Sequence, residues 1–187
     1  MLAARPAPGR LLLSSPMAAP APLDAPVPFR RGLWFEEFEV GQVIWSARRT
    51  VTEADLVLFT GLSWDTTFLH TDEEAAKRTP FRGRIAHGML VWSMASGLGV
   101  QTGIFEGTIE ALSGMTMEFT APVFPGDAIR LRLEITSKAE PSRRNGRVVF
   151  QARVFNQRDQ LAVDGEWRTL VRRDRASASA SASEAEV

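Results

Sequence analysis

Cysteine is absent from these 187 residues, and histidine occurs only twice. The missing cysteine excludes disulfides, thiol catalysis and thiolate metal sites. It also fits a reducing compartment. Net charge is missing too: 22 basic residues balance 22 acidic ones, and the sequence pI is near 6.8. Phosphate backbones and anionic membrane surfaces are bound by a basic face, so the balance argues against a nucleic-acid or membrane partner. No apolar run approaches the roughly 18 residues that cross a bilayer. What is present, 44% hydrophobic and 24% charged residues, is ordinary for a soluble globular chain with one real core. The expected compartment is the cytoplasm.

The two ends differ from the rest. Residues 1–29 are rich in alanine and proline, which discourages helix and sheet, so a disordered leader is expected. Residues 1–23 also hold two arginines, two serines and no acid. A mitochondrial transit peptide has that composition, which makes the mitochondrial matrix the alternative compartment. Residues 174–187 form an Ala/Ser-rich stretch with almost nothing to bury, expected as a disordered tail. The folded domain is expected over 30–173.

Within that domain the hydrophobic period changes once. Val43, Trp45 and Ala47 alternate and predict a short strand. Thr52 with an acid at Asp55 reads as a helix cap, opening a short helix through Phe59 that Gly61 can terminate. The cap pattern repeats at Thr71–Glu74, before a helix from Glu73 to Arg78 that Pro80 and Gly83 close. From His87 to Val100 apolar residues cover almost every face, so this helix is buried on most sides. Its small residues Ala95, Ser96, Gly97 and Gly99 allow another backbone to approach. After Gly107 the period becomes two: Met115, Met117 and Phe119; Ile129 to Ile135; Val148 to Val154; then a run around Trp167. Pro125-Gly126-Asp127, Asn145-Gly146 and Asn156–Asp159 supply turns. The pattern predicts an α+β domain in which an antiparallel meander wraps one long buried helix. The remaining sheet edge needs cover, which suggests a homodimer or higher homo-oligomer.

The chemistry-bearing residues cluster at Asp65, His70 and His87. Regular geometry keeps Asp65 and His70 apart: five residues along a helix turn roughly 140°, and on a strand they point to opposite faces. Only irregular backbone brings them together. An aspartate beside an imidazole suits acid–base chemistry on water, while a turn-capping Asp65 with a satisfied His70 explains the same spacing. His70, Asp72 and His87 could also form a two-histidine, one-carboxylate metal set; no metal site is expected from it. Arg82 and Arg84 flank Gly83, where a phosphate contact and a solvated basic loop fit equally. Trp34, Trp45 and Trp167 read as core or interface residues.

Residues 61–98, GLSWDTTFLHTDEEAAKRTPFRGRIAHGMLVWSMASGL, resemble the signature of MaoC-type dehydratases, the (R)-specific enoyl-CoA hydratases of the hot-dog fold. The shared parts are an aspartate, a histidine five residues later, a nearby aspartate and short acidic helix, and Ala-His-Gly-Met at the start of a buried helix. The resemblance implies a hot-dog fold over roughly residues 35–172, and a reaction that adds water reversibly across the 2,3 double bond of an enoyl thioester. It implies that Asp65 and His70 activate the water, that the Gly88 N–H receives the thioester oxygen, and that Ser96 lies near the reacting centre. His87 reads as structural. The substrate implied is an acyl-CoA or acyl-carrier-protein thioester, with no cofactor. Two departures stand out: Thr67-Phe68 where relatives carry Asn-Pro, and Trp64 where they carry glycine. A hot-dog acyl-CoA thioesterase and a non-catalytic acyl-thioester-binding subunit are the alternatives.

Overall fold

The computed structural model describes residues 32–140 and 142–174. The expected leader over 1–29 and the tail over 175–187 lie outside the described residues. Asp174, placed in the tail by composition, donates its backbone N–H to Glu36 Oε2 at 3.1 Å.

A single 3-10 turn, Phe35–Glu37, precedes strands β1 (Val43–Trp45) and β2 (Arg49–Thr50). Three short helices follow: α1 (Glu53–Ser63), α2 (Phe68–Thr71) and α3 (Glu73–Ala76). Then come the long helix α4 (Gly88–Gln101) and strands β3 (Ile109–Phe119), β4 (Ala128–Ala139), β5 (Asn145–Phe155) and β6 (Leu161–Arg172). The α+β architecture of an antiparallel sheet around one long helix is the one that both periodicity and resemblance imply.

The sheet order is β1-β4-β5-β6-β3, with β2 also paired to β4. Only β4, β5 and β6 form a meander, which corrects the expected run of four consecutive neighbours. β3 pairs with β6 at the far edge. The segment from residue 120 to 127 therefore crosses one end of the sheet to reach β4. Two backbone bonds seat it, Thr120 N–H to Ala162 C=O at 2.9 Å and Ala86 N–H to Val123 C=O at 2.7 Å.

Inside the curl, α4 buries Leu90, Val91, Trp92, Met94, Ala95, Leu98 and Gly99. Trp92 meets Trp167 of β6 edge-on, with ring centres 5.7 Å apart. The close approach is made at glycines. A Cβ on Gly165 would lie 2.3 Å from the Thr116 carbonyl oxygen and 2.8 Å from the Trp92 ring. Trp45, by contrast, is on the outside, under the Arg130 guanidinium at 4.2 Å.

Local chemistry shifts three expected boundaries. α1 runs through Gly61 to Ser63, because the left-handed stop is made three residues after Gly61 by Trp64, at φ 61°. Its start is as expected, with Thr52 and Asp55 capping each other reciprocally. α3 ends at Ala76 and not Arg78, since the N–H groups of Arg78 and Thr79 turn back three residues and Pro80 cannot continue. Asn145-Gly146 is the start of β5 and not a two-residue turn. Ser142 Oγ accepts the Asn145 N–H at 3.1 Å, and Gly146 leaves room for Phe35, whose ring a Cβ there would strike.

The outer edge of the sheet is apolar. Ile109, Leu112, Met115 and Phe119 of β3 are between 37% and 50% exposed in the single chain. An unpaired strand edge of that kind is a template for a second strand.

Gly165→Ala is expected to lower unfolding free energy by about 3 kcal/mol, since backbone and a core indole both obstruct the methyl group. Gly97→Ala, which meets nothing within 4 Å in mid-helix, is expected to raise it by about 0.5–1 kcal/mol. Urea unfolding of the two variants checks both signs.

Candidate active site

Asp65 and His70 are brought together by the short segment after α1. Trp64 turns the chain at the end of that helix, and its N–H donates to Thr60 C=O at 2.9 Å. Asp65 follows in a loop, while His70 is on the one-turn helix α2. The irregular backbone expected between Asp65 and His70 thus contains helix from Phe68 onward. The Thr67 hydroxyl and N–H both donate to Asp65 Oδ1, at 2.6 and 3.1 Å. A threonine here holds the carboxylate directly. Those two bonds, the hydroxyl's above all, keep the Asp65 carboxyl below the ordinary range for an aspartate, so it stays ionised.

His70 Nδ1 is 2.8 Å from the Ile85 carbonyl oxygen. A carbonyl only accepts, so Nδ1 carries the hydrogen, and in the neutral ring Nε2 offers its lone pair. That nitrogen faces Asp65 Oδ2 at 3.9 Å. The gap is too long for a direct hydrogen bond, yet both atoms can reach one water at about 2.8 Å.

His87 sits at the N-cap of α4 and is 2% exposed. Its Nε2–H donates to the backbone carbonyl of Asp65 at 3.1 Å. Its ring stacks on His70, with centres 3.8 Å apart and planes 27° from parallel. Burial lowers the His87 pKa, so this imidazole stays neutral where an exposed one would take up a proton. Asp65, His70 and His87 each present one possible metal ligand atom within 4.8 Å of the others. The Nε2 of His87 is committed as a donor, however, and offers no lone pair there. Asp72, the carboxylate of the metal set weighed from sequence, instead caps α3 by accepting the Ala75 N–H at 2.9 Å.

Asp65, His70 and Gly88 line one cavity of about 770 Å³. Its remaining wall is mostly apolar and includes Phe119 and the crossing segment Thr120–Val123. Gly88 opens α4, where the first intrahelical bond runs from Val91 N–H to His87 C=O at 3.1 Å. The N–H groups of residues 88–90 fall ahead of it, at the positive end of the helix dipole. A Cβ at Gly88 would lie 2.7 Å from the Phe119 ring, so glycine is the residue that fits. Ser96 is half-buried two turns further along α4 and lines no part of this cavity.

Sequence reasoning named Asp65, His70 and Gly88 but not Thr67 as a partner of the carboxylate. A hydroxyl two residues after an aspartate is the local signal for that bond. Nothing local signals that Phe119 and residues 120–123 form the opposite wall.

The profile described as "MaoC like domain" matches residues 37–154. Protein MaoC of Klebsiella aerogenes is 40% identical over 119 residues, 63% of this chain and 34% of that protein, so the match spans about a third of that longer relative. The (R)-specific enoyl-CoA hydratase of Aeromonas caviae is 35% identical over 131 residues, 70% of this chain and 93% of that one. Among solved structures, the unliganded R-hydratase PhaJ1 from Pseudomonas aeruginosa superposes with a TM-score of 0.66 at 35% identity, covering 76% of this chain and 88% of that one.

A pH effect on stability follows from His87. Its folded pKa is depressed, so below the ordinary value of about 6.5 the unfolded chain binds a proton that the folded chain refuses. Unfolding free energy is expected to fall as pH drops from 6.5, by at most ~1.4 kcal/mol per unit, until the folded ring also titrates. Denaturant titrations across this range check it, and the His87→Gln variant is expected to lack this contribution.

Proposed function

Because the chain belongs to the MaoC-like dehydratase family, we propose that it adds water reversibly across the 2,3 double bond of an enoyl thioester. The product is a 3-hydroxyacyl thioester. The observation that carries this reading is the 3.9 Å gap between Asp65 Oδ2 and His70 Nε2, at the wall of an apolar cavity that also meets the start of α4.

In the forward direction one water lies between the two side chains. Asp65, held ionised by Thr67, accepts one of its hydrogens as a hydrogen bond. His70 Nε2 takes the other as a proton while the water oxygen bonds to C3. The π electrons move toward C2 and the thioester oxygen, and the proton then goes to C2. Charge that builds on the thioester oxygen is met by the Gly88 N–H and the helix dipole, an arrangement worth several kcal/mol in comparable sites. The reverse sequence eliminates water. Both directions are additions or eliminations without oxidation, so the proposed chemistry requires no redox cofactor, and the polarising role a metal could play is assigned to the Gly88 N–H and the helix dipole.

The apolar wall suits an acyl chain, carried on coenzyme A or an acyl carrier protein. The exposed apolar edge of β3 runs toward the same cavity through Phe119. Its natural cover is a second copy, giving a homodimer with each cavity near the interface. No helix among the described residues is long and apolar enough to cross a membrane.

Asp65→Asn and His70→Ala are each expected to fold and to lose at least about 100-fold in the hydration rate of crotonyl-CoA. The decrease of conjugated-thioester absorbance reads the rate, and circular dichroism reads the fold. Parental rates in both folded variants would remove the pair from the mechanism.

A further inference from the structure

Among the described residues, three other than glycine adopt the left-handed backbone region: Trp64, Arg82 and Asp159. Trp64 ends α1, and Asp159 meets Arg130 at 2.6 Å. Arg82, at φ 62°, is different. Its N–H closes a turn onto the Thr79 carbonyl at 3.1 Å. Its guanidinium is exposed and makes no hydrogen bond or ion pair with any described residue. A glycine would hold this backbone without strain, and no hydrogen bond or ion pair among the described residues accounts for an arginine.

The position of Arg82 does suggest a use. Phe81 before it and Ile85 after it both line the cavity, and the Ile85 carbonyl orients His70. Arg82 therefore rides on the outer rim of the wall that holds the imidazole. Arg84 cannot serve in its place. Its guanidinium is held by Glu53 at 2.6 and 3.1 Å and by Glu73 at 3.3 Å. Arg78, on the other side of the same turn, is exposed and likewise has no ion-pair partner among the described residues.

The cavity itself carries no arginine or lysine, and Asp65 is its one carboxylate. An acyl group fits such a wall, but a phosphate does not: it would be desolvated beside a carboxylate with no cation to pair with. A ligand that joins an apolar chain to a phosphate must place the phosphate outside the mouth. Guanidinium offers paired donors that match phosphate oxygens.

We propose that Arg82, supported by Arg78, binds a phosphate of the thioester's phosphopantetheine carrier at the cavity mouth. This rests on the thioester reading above and adds to it a determinant of carrier recognition.

The test compares Arg82→Gly with the parent on three crotonyl thioesters. One is of coenzyme A, one of 4'-phosphopantetheine, and one of N-acetylcysteamine, which has no phosphate. Arg82→Gly relieves the backbone, so its melting temperature is expected to be equal or higher. Its kcat/KM is expected to fall about tenfold more for crotonyl-CoA than for the N-acetylcysteamine ester, chiefly through KM. An equal selective loss with 4'-phosphopantetheine places the contact at the phosphate shared by coenzyme and carrier protein. A loss confined to coenzyme A places it on the nucleotide. An equal change on all three esters overturns the proposal. Calorimetric binding of butyryl-CoA keeps the two readings separate. If the parent hydrates no ester, weaker binding by Arg82→Gly still supports the phosphate contact, and unchanged binding refutes it.

Discussion

One hydrogen bond, from His87 Nε2 to the backbone carbonyl of Asp65, sets the position of the candidate chemistry. Asp65 stands in an exposed loop, where backbone is ordinarily the least fixed part of a fold. His87 is almost wholly buried at the start of the most buried helix. The bond refers the loop to that helix. Stacking of His87 on His70 refers the second side chain to the same place. A donor buried this deeply is costly to leave unpaired, so the loop is held by the penalty for releasing it. The tautomer follows from the same contact, because a carbonyl can only accept.

The sheet and α4 make that arrangement possible. Glycines at 88, 99 and 165 let Phe119, Trp167 and Trp92 lie against backbone, which seats α4 deep within the curl of the sheet. The crossing of residues 120–127 over the sheet end then faces the start of α4. The cavity is bounded by segments far apart in sequence, among them the loop after α1, the start of α4, this crossing, and Ala162 and Val163 of β6. Its apolar wall strengthens any charge interaction formed inside it, including that between helix-terminal N–H groups and a developing oxyanion.

Much of this was legible in the residues. The change of period from helical to alternating places α4 and the four long strands, and the reciprocal cap at Thr52 and Asp55 fixes where α1 begins. The motif from Asp65 to Gly88 names the groups that meet in the cavity. Other features depend on partners distant in sequence. The pairing of β3 with β6 and not β4 is decided by long-range packing that alternation alone does not encode. Gly146 reads locally as a turn residue, but its place is set by Phe35, more than a hundred residues earlier. Gly61 reads as a helix stop, yet the stop is at Trp64, an unusual residue for that backbone. Thr67 reads only as a departure from the pattern the sequence resembles, yet its hydroxyl donates to the Asp65 carboxylate, a bond that needs the loop's actual backbone to be seen.

Trp64, Phe68 and Met89 leave large apolar surfaces exposed close to the same loop and helix start. The central claim, that this cavity directs water to carbon and leaves the thioester whole, is tested most directly by mixing the purified protein with crotonyl-CoA and following two signals in one cuvette. The account predicts that conjugated-thioester absorbance falls while titratable free thiol stays flat. Release of thiol in step with any absorbance change, or no change in either signal, would contradict it.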